Sequence, residues 1–422
     1  MSSPANPDTQ PAPTAQPFPI GMRELVLMLA LTQSLQALAI DFMLPALGHI
    51  AHDLGVSDPN RRQLVVGLFL VGIGLGSLIP GTLADRYGRR PVMLGCIAGY
   101  VVISFACAVT TDFTVLAALR LIEGFICAGL AVIPLAVIRD RFEGDRMASL
   151  QSLMSVIFLV IPMLAPSLGQ LVLLVAGWRW IFALMGIFGM AMGLWVALRL
   201  PETMHPDYRQ SLNAKNIAAN MAAVVTTRAS IGYVFANCCT LAIIWGYVQS
   251  CQQLVGEHFG AGTAFPLFFG GMALCMACAS FTNSRIVERF GARRVAHTAL
   301  MLYLVVAAIQ FAYAHSGRET LWPFVILMTL TMICGAFTGA NFSSIALQPF
   351  ARTAGAASSV QSFLRNSLAA LLAAAIGQSY DGTARPLSDA IVIAGVASLG
   401  LVLWSERGGL FRRLNPPGTP RL

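Results

Sequence analysis

The chain has 422 residues, of which 56% are hydrophobic and only 11% are charged, with a mean hydropathy of +0.71. Soluble domains carry about 25% charged residues, so this composition excludes an ordinary soluble enzyme or binding module. The formal charge of +8 is then a signal of membrane topology rather than of nucleic-acid binding.

Residues 1–20 are rich in Pro, Ser, Ala and Thr and carry one charge, Asp8. They lack the basic start of a cleavable signal and read as a disordered cytoplasmic tail. Twelve nearly uncharged segments follow, numbered here as spans 1 to 12: 24–48, 62–84, 91–111, 113–138, 148–174, 178–198, 229–255, 264–284, 295–314, 321–346, 355–379 and 387–405. Each is long enough to cross a hydrocarbon core, which takes about 20 apolar helical residues. With the N-terminus in the cytoplasm, 20 of the 27 Lys and Arg residues fall inside and 5 outside, as the positive-inside rule requires. One missed or invented span would invert half of these loops and destroy that bias. All nine cysteines lie within spans. Cys275-x-x-Cys278 has the spacing of a metal or redox pair, but it sits mid-helix among apolar residues and reads as two small hydrophobes. No disulfide framework, metal or cofactor is expected.

Span 1 carries Asp41 within Ile40-Asp41-Phe42-Met43-Leu44-Pro45-Ala46, the one charge between Glu24 and Asp53. By helical rise it lies about 7 Å to the outer side of the span's midpoint. A lone carboxylate at that depth costs roughly 2.5–3.5 kcal/mol on insertion scales and points to function. The alternative is a structural acid lining a wet cavity. Gln33 lies on the flank of its face, and Pro45 is expected to bend the helix just beyond it. Span 2 holds Gly72 and Gly76, a spacing that suits close helix packing.

Between spans 2 and 3, residues 81–91 read Gly-Thr-Leu-Ala-Asp-Arg-Tyr-Gly-Arg-Arg-Pro. Gly81, Asp85, Arg86, Gly88, Arg89 and Arg90 define a tight turn with a salt-bridge network. Gly88 suits a reversal that needs positive φ, and Pro91 suits the first turn of the next helix. Span 4 adds Arg120 and Glu123, three residues apart and so able to pair on one face. With Asp41 they form either a proton relay or, as a pair alone, a static bridge. Span 5 carries Pro162, Pro166 and Gly169, read as kinks and close packing.

Residues 200–228 form a polar linker between a six-helix half at 21–199 and another at 229–406, and 407–422 form a basic cytoplasmic tail. Glu288-Arg289-Phe290-Gly291-Ala292-Arg293 repeats Asp85-Arg86-Tyr87-Gly88-Arg89-Arg90 at an offset of 203. At that offset Asp41 falls on Ile244 and Arg120 on Pro323, so the fold is duplicated and the buried charges are not. Parallel repeated halves are a recognised transporter plan. The expected fold is an all-α polytopic membrane protein of twelve transmembrane helices in two pseudo-symmetric halves. The second half offers Tyr233, Asn237, Tyr247 and Asn341 as polar cavity candidates. Arg365 in span 11 either binds an anionic substrate or braces an interface.

Taken together, residues 22–405 resemble the drug:proton antiporters of the major facilitator superfamily, in the bicyclomycin/chloramphenicol-resistance (Bcr/CflA) branch. The similarity rests on the Asp41-x-x-Leu44-Pro45 corner, the 81–92 loop signature, Arg120-x-x-x-Gly124, Ala165-Pro166-x-x-Gly169 and Leu200-Pro201-Glu202-Thr203. Departures are Glu123 where Gln is usual, Ala165 and Gln170 in place of glycines, and Gln33 where some relatives carry a second acid.

The resemblance implies a rocker-switch exporter of the bacterial inner membrane, with both termini cytoplasmic. Its partners would be protons, a small-molecule substrate and the lipid bilayer, with no nucleic acid, and it would act as a monomer. Asp41, Glu123 and Arg120 are the proton-coupling candidates. The substrate-cavity candidates are Gln33, Asp41, Glu123, Tyr233, Asn237, Tyr247 and Asn341. The 81–90 cluster is expected to latch against span 11 in the outward-facing state. A proton symporter importing a sugar or organic acid shares the fold and stands as the alternative. An enzyme would need a clustered nucleophile, base or metal set, and the six histidines are scattered. A channel would need charged rings or filter loops.

Overall fold

The structure, a computed structural model, describes residues 20–411 apart from 59, 143 and 205–220. The expected N-terminal tail, most of the linker and residues 412–422 lie outside the described residues. Among the described residues there is no strand. Among the described residues eleven helices are long and apolar enough to cross a membrane, and a bent pair counted as one span makes twelve. The protein is therefore an all-helical, multi-pass membrane protein.

Spans 1, 2 and 7 depart from simple helices, and in spans 1 and 2 the cause is local. Span 1 is α-helical over Met22–Asp41, passes through a 3-10 turn at Leu44–Ala46 and resumes at Leu47–Asp53. Pro45 lacks the N–H that would bond the Asp41 carbonyl, so the helix breaks directly after the buried acid. Span 2, expected as one helix over 62–84, is instead Arg61–Gly76 followed by Ile79–Tyr87 at 46°. Pro80 removes the partner of the Gly76 carbonyl, and the Ser77 hydroxyl donates back to the Ile73 carbonyl at 2.7 Å, which loosens the ladder there. Span 7 is α-helical over Arg228–Cys251 and ends in a π-helical turn, Gln252–His258. Span 5 runs on through Pro162 and Pro166 as one helix, Gly144–Val175.

The repeat seen in the sequence is a repeat of packing. Span 1 packs on spans 4, 5 and 6, and span 7 packs on spans 10, 11 and 12. Span 3 meets spans 4 and 6, as span 9 meets spans 10 and 12. The halves join through span 2 against span 11 and span 5 against span 8, two contacts that exchange under the internal symmetry. Within the first half, spans 2 and 4 touch backbone to backbone. A Cβ on Gly72 would lie 2.1 Å from the Leu121 carbonyl oxygen, and one on Gly124 would lie 1.9 Å from that of Phe69. The glycines of both motifs are thus packing residues.

Gly88 turns the chain between spans 2 and 3 with φ +105°, and Gly291 does the same in the second half with φ +84°. A Cβ at Gly88 would also strike the Glu202 carboxylate, at 2.4 Å. At the opposite, distal face the halves are tied together. Arg62 Nη1 donates to Glu257 at 2.8 Å, Gln63 to Gln253, and Asn60 Nδ2 to the Gln378 and Tyr380 carbonyls at 3.1 and 2.8 Å.

Candidate functional site

A cavity of about 270 Å³ lies between spans 1, 2 and 5 of the first half and spans 7, 8 and 10 of the second. Asp41 is the one ionisable carboxyl in its lining, beside Gln36, Ala37 and Ile40. Asp41 is only 5% exposed. The opposite wall is apolar: Trp245, Phe269, Met272, Met276 and Met332. Tyr247 stacks on Phe269 with ring centres 6.4 Å apart and donates its hydroxyl to the Met272 sulfur at 3.2 Å. Pro162 lines the cavity together with Phe158, whose carbonyl loses its helical partner to that proline. Gly169 explains how span 5 comes so near. A Cβ there would sit 2.0 Å from the Phe42 carbonyl oxygen and 3.3 Å from the Pro45 ring. Span 5 therefore rests against the helix break that follows Asp41.

Arg120 and Glu123 pair as their spacing predicts, Nη1 to Oε2 at 2.5 Å, with both side chains wholly buried. Arg120 also donates from Nε to the Val65 carbonyl at 3.1 Å and from Nη2 to the Ala39 carbonyl at 2.6 Å, and its guanidinium lies 4.2 Å from the Phe69 ring centre. The second oxygen of Glu123 accepts from Ser104 of span 3 at 2.8 Å. Neither residue lines the cavity, and no hydrogen bond or ion pair links either to Asp41 among the described residues. The three charges thus form a tethered pair and a separate acid. Their one connection runs through the backbone, where Arg120 holds a carbonyl two residues before Asp41.

The loop cluster is built within the first half. Asp85 pairs with Arg89 at 2.5 Å, and Arg89 Nε donates to Asp140 at 2.8 Å. Glu202 accepts from the backbone N–H of Arg89 at 2.9 Å and of Arg90 at 3.2 Å, a carboxylate at the N-terminus of span 3 (Arg89–Val109). Arg90 also donates to the Ala197 carbonyl at 2.7 Å, and Arg86 lies over the Tyr87 ring at 5.2 Å. A Cβ on Gly81 would lie 3.6 Å from Val132 Cγ1, at ordinary contact. Among the described residues Asp85 has no hydrogen bond or ion pair with span 11 in this arrangement, which is tied shut at the distal face.

The other cavity candidates are placed elsewhere. Gln33 lies two turns from Asp41, about 12 Å along the axis, and Gln36 lines the cavity instead. Tyr233 bonds His297 at 3.0 Å and Glu406 at 2.7 Å, at the loop end of span 7. Asn341 donates to Asn283 at 2.8 Å, bridging spans 10 and 8. Asn237 belongs to a second pocket with Arg365. Sequence reasoning missed the methionine and aromatic wall, because an apolar residue in an apolar span carries no signal of which way it faces. It also missed the Arg62–Glu257 and Gln63–Gln253 contacts, which join helix ends far apart in sequence.

A carboxyl in an apolar cavity between two repeated six-helix halves defines a membrane transporter rather than an enzyme. The family model described as Major Facilitator Superfamily matches residues 29–374, and the chain belongs to that superfamily. It is 32% identical over 326 residues to YdgK, an uncharacterized MFS-type transporter of Bacillus subtilis (strain 168), covering 75% of this chain and 76% of that protein. It is 30% identical over 372 residues to the multidrug resistance protein MdtL of Klebsiella pneumoniae (strain 342), covering 86% and 91%. It is 26% identical over 373 residues to a bicyclomycin resistance protein homolog of Haemophilus influenzae, again covering 86% and 91%. These relatives agree with the bicyclomycin/chloramphenicol-resistance branch to which the motifs point. Among solved structures, the nucleoside transporter NupG superposes with a TM-score of 0.71 at 14% identity, covering 91% of this chain and 99% of its own. The xylose transporter XylE from E. coli does so with 0.69 at 10% identity, covering 95% and 99%. At such identities the likeness is one of fold.

Proposed function

We propose that the protein is a proton-coupled antiporter that exports small amphipathic compounds across the bacterial inner membrane, with both termini cytoplasmic. The observation that carries this reading is the position of Asp41. It is a single carboxyl, without a cation among its lining neighbours, in the cavity where the two halves meet. Crossing the apolar interior is cheap for a neutral acid and costly for a lone carboxylate, so proton and substrate compete for this group. Methionine and aromatic walls adapt to ligands of different shape, which suits a pump of broad specificity. A membrane potential of 100 mV supplies about 2.3 kcal/mol per proton moved inward. Gly169 and Pro162 hold span 5 against the Asp41 corner, and the Arg120–Glu123 pair braces it from the other side. The 81–90 cluster acts as the loop-face latch when the halves rock.

Inverted membrane vesicles with an internal pH dye test the assignment. In wild type, a transported compound dissipates a preformed acid-inside gradient. Asp41→Asn removes gradient-driven efflux and leaves energy-independent binding of the compound. Uphill pumping by Asp41→Asn would refute the proposal.

A further inference from the structure

Spans 7, 10 and 11 enclose a second, smaller cavity in the second half. Its volume is about 90 Å³, and its lining includes Asn237, Ser343, Gln361, Ser362 and Arg365. One water needs roughly 10–15 Å³, so the space admits a small polyatomic ion but not the body of a drug-sized compound.

Arg365 gives this space its chemistry. It is the one charged residue of span 11, Ala354–Gln378, and neither Arg228–Cys251 nor Leu321–Leu347 contains an acid. Its Nε donates to Asn366 Oδ1 at 3.1 Å and its Nη1 to Ser343 Oγ at 3.2 Å. No carboxylate pairs with it among the described residues. A guanidinium has five N–H donors in a planar fork, so three of them have no partner among the described residues, on a side chain that lines the cavity. Ser343 Oγ also accepts from Asn237 Nδ2 at 2.8 Å, which leaves its own O–H to donate. An arginine kept in low dielectric without a counter-charge is costly. An oxyanion in the cavity removes that cost through charge-assisted, bidentate hydrogen bonds.

We infer that this cavity is an anion-binding site, in which Arg365 and Ser343 hold a carboxylate or phosphate group. Nothing in it depends on proton coupling at Asp41. The site is also wired to the seam between the halves. Asn366, which accepts from Arg365, donates from Nδ2 to Ser77 Oγ at 3.2 Å, at the break in span 2. An anion that draws Arg365 away from Asn366 loosens that inter-half contact.

The full-length protein in detergent micelles is titrated calorimetrically with sodium phosphate and with sodium benzoate, at matched ionic strength. Wild type binds at least one probe saturably. Arg365→Gln binds it about tenfold more weakly or not at all, the loss expected for a charged hydrogen bond, and is no less heat-stable than wild type in anion-free buffer. Ser343→Ala keeps the charge and also weakens binding, which preserves the test if Arg365→Gln fails to fold. Tighter binding of benzoate than of phosphate assigns the site to the anionic end of a transported compound. The reverse order assigns it to a free inorganic oxyanion. Absence of saturable binding in wild type, or unchanged binding in Arg365→Gln or in Ser343→Ala, overturns the inference. So does an anion-insensitive wild type with a destabilised Arg365→Gln, which is the behaviour of a brace.

Discussion

The Arg120–Glu123 pair makes a quantitative prediction. Both side chains are wholly buried, and between them they satisfy the Ala39 and Val65 carbonyls and the Ser104 hydroxyl. Replacing Glu123 by Leu leaves a guanidinium with two carbonyls and the Phe69 and Phe182 rings but no counter-charge. Replacing Arg120 by Met leaves a carboxylate with only Ser104. Removing one partner of a buried pair typically costs about 3–5 kcal/mol, whereas replacing both with apolar residues is often neutral. The two single variants are therefore expected to lose about that much stability each, and the double variant far less than their sum. Tryptophan fluorescence through an SDS titration of the purified protein measures all three. The double variant also loses the tether on Ala39, so it folds well and transports slowly. Additive losses across the cycle would refute the buried-pair reasoning. So would a Glu123→Gln variant of wild-type stability that selectively loses export of cationic compounds, which would make Glu123 a second coupling acid.

Gly169→Leu places a side chain where the Phe42 carbonyl lies 2.0 Å from the new Cβ, roughly 1.4 Å short of ordinary contact. Normal membrane insertion with loss of gradient-driven efflux is expected, and wild-type efflux in vesicles would show that span 5 does not position the Asp41 corner. Arg62→Gln breaks the tie to Glu257 at the distal face. Because Glu257 is half-exposed, the pair is worth about 0–1 kcal/mol, so cysteine crosslinking between spans 2 and 7 at that face should fall by about fivefold at most. A complete loss of crosslinking would mean that the pair, rather than the neighbouring glutamine contacts, holds the face closed.

Much of this fold is legible in the sequence because lipid leaves a chain few options. Backbone groups in hydrocarbon must bond within the segment, so each apolar run becomes a helix. The same logic finds Asp41, since a lone charge in a span stands out. It finds the Arg120–Glu123 pair, since three residues bring two side chains onto one face. It does not find which face of span 10 meets the cavity, because Met332 and its neighbours are equally apolar on every side. Nor does spacing reveal that Glu202, after span 6, bonds the first N–H groups of span 3. That contact depends on how two helices end together in space. The break in span 2 lay in view as Ser77 and Pro80, but a proline three residues past a serine bends some helices and begins others.

The internal symmetry explains how the two cavities divide the chemistry. At the offset that relates Gly88 to Gly291, Asp41 corresponds to Ile244 and Pro162 corresponds to Arg365. Asp41 and Ile244 both line the larger cavity, and so does Pro162, while Arg365 lines the smaller one. Duplication thus delivered equivalent backbone positions facing interior space in both halves. Substitution then made them unlike. The first half keeps its acid at a helix break, where Pro45 has freed the carbonyl of Asp41 itself and irregular backbone is tolerated because it lines a cavity. The second half keeps an apolar wall opposite that acid and holds its own half-buried charge, of opposite sign, in a separate pocket. A carboxylate and a guanidinium sharing one cavity would pair and hold each other charged. Kept in different cavities, neither is paired with the other, as the proposed proton exchange at Asp41 and the proposed anion binding at Arg365 both require.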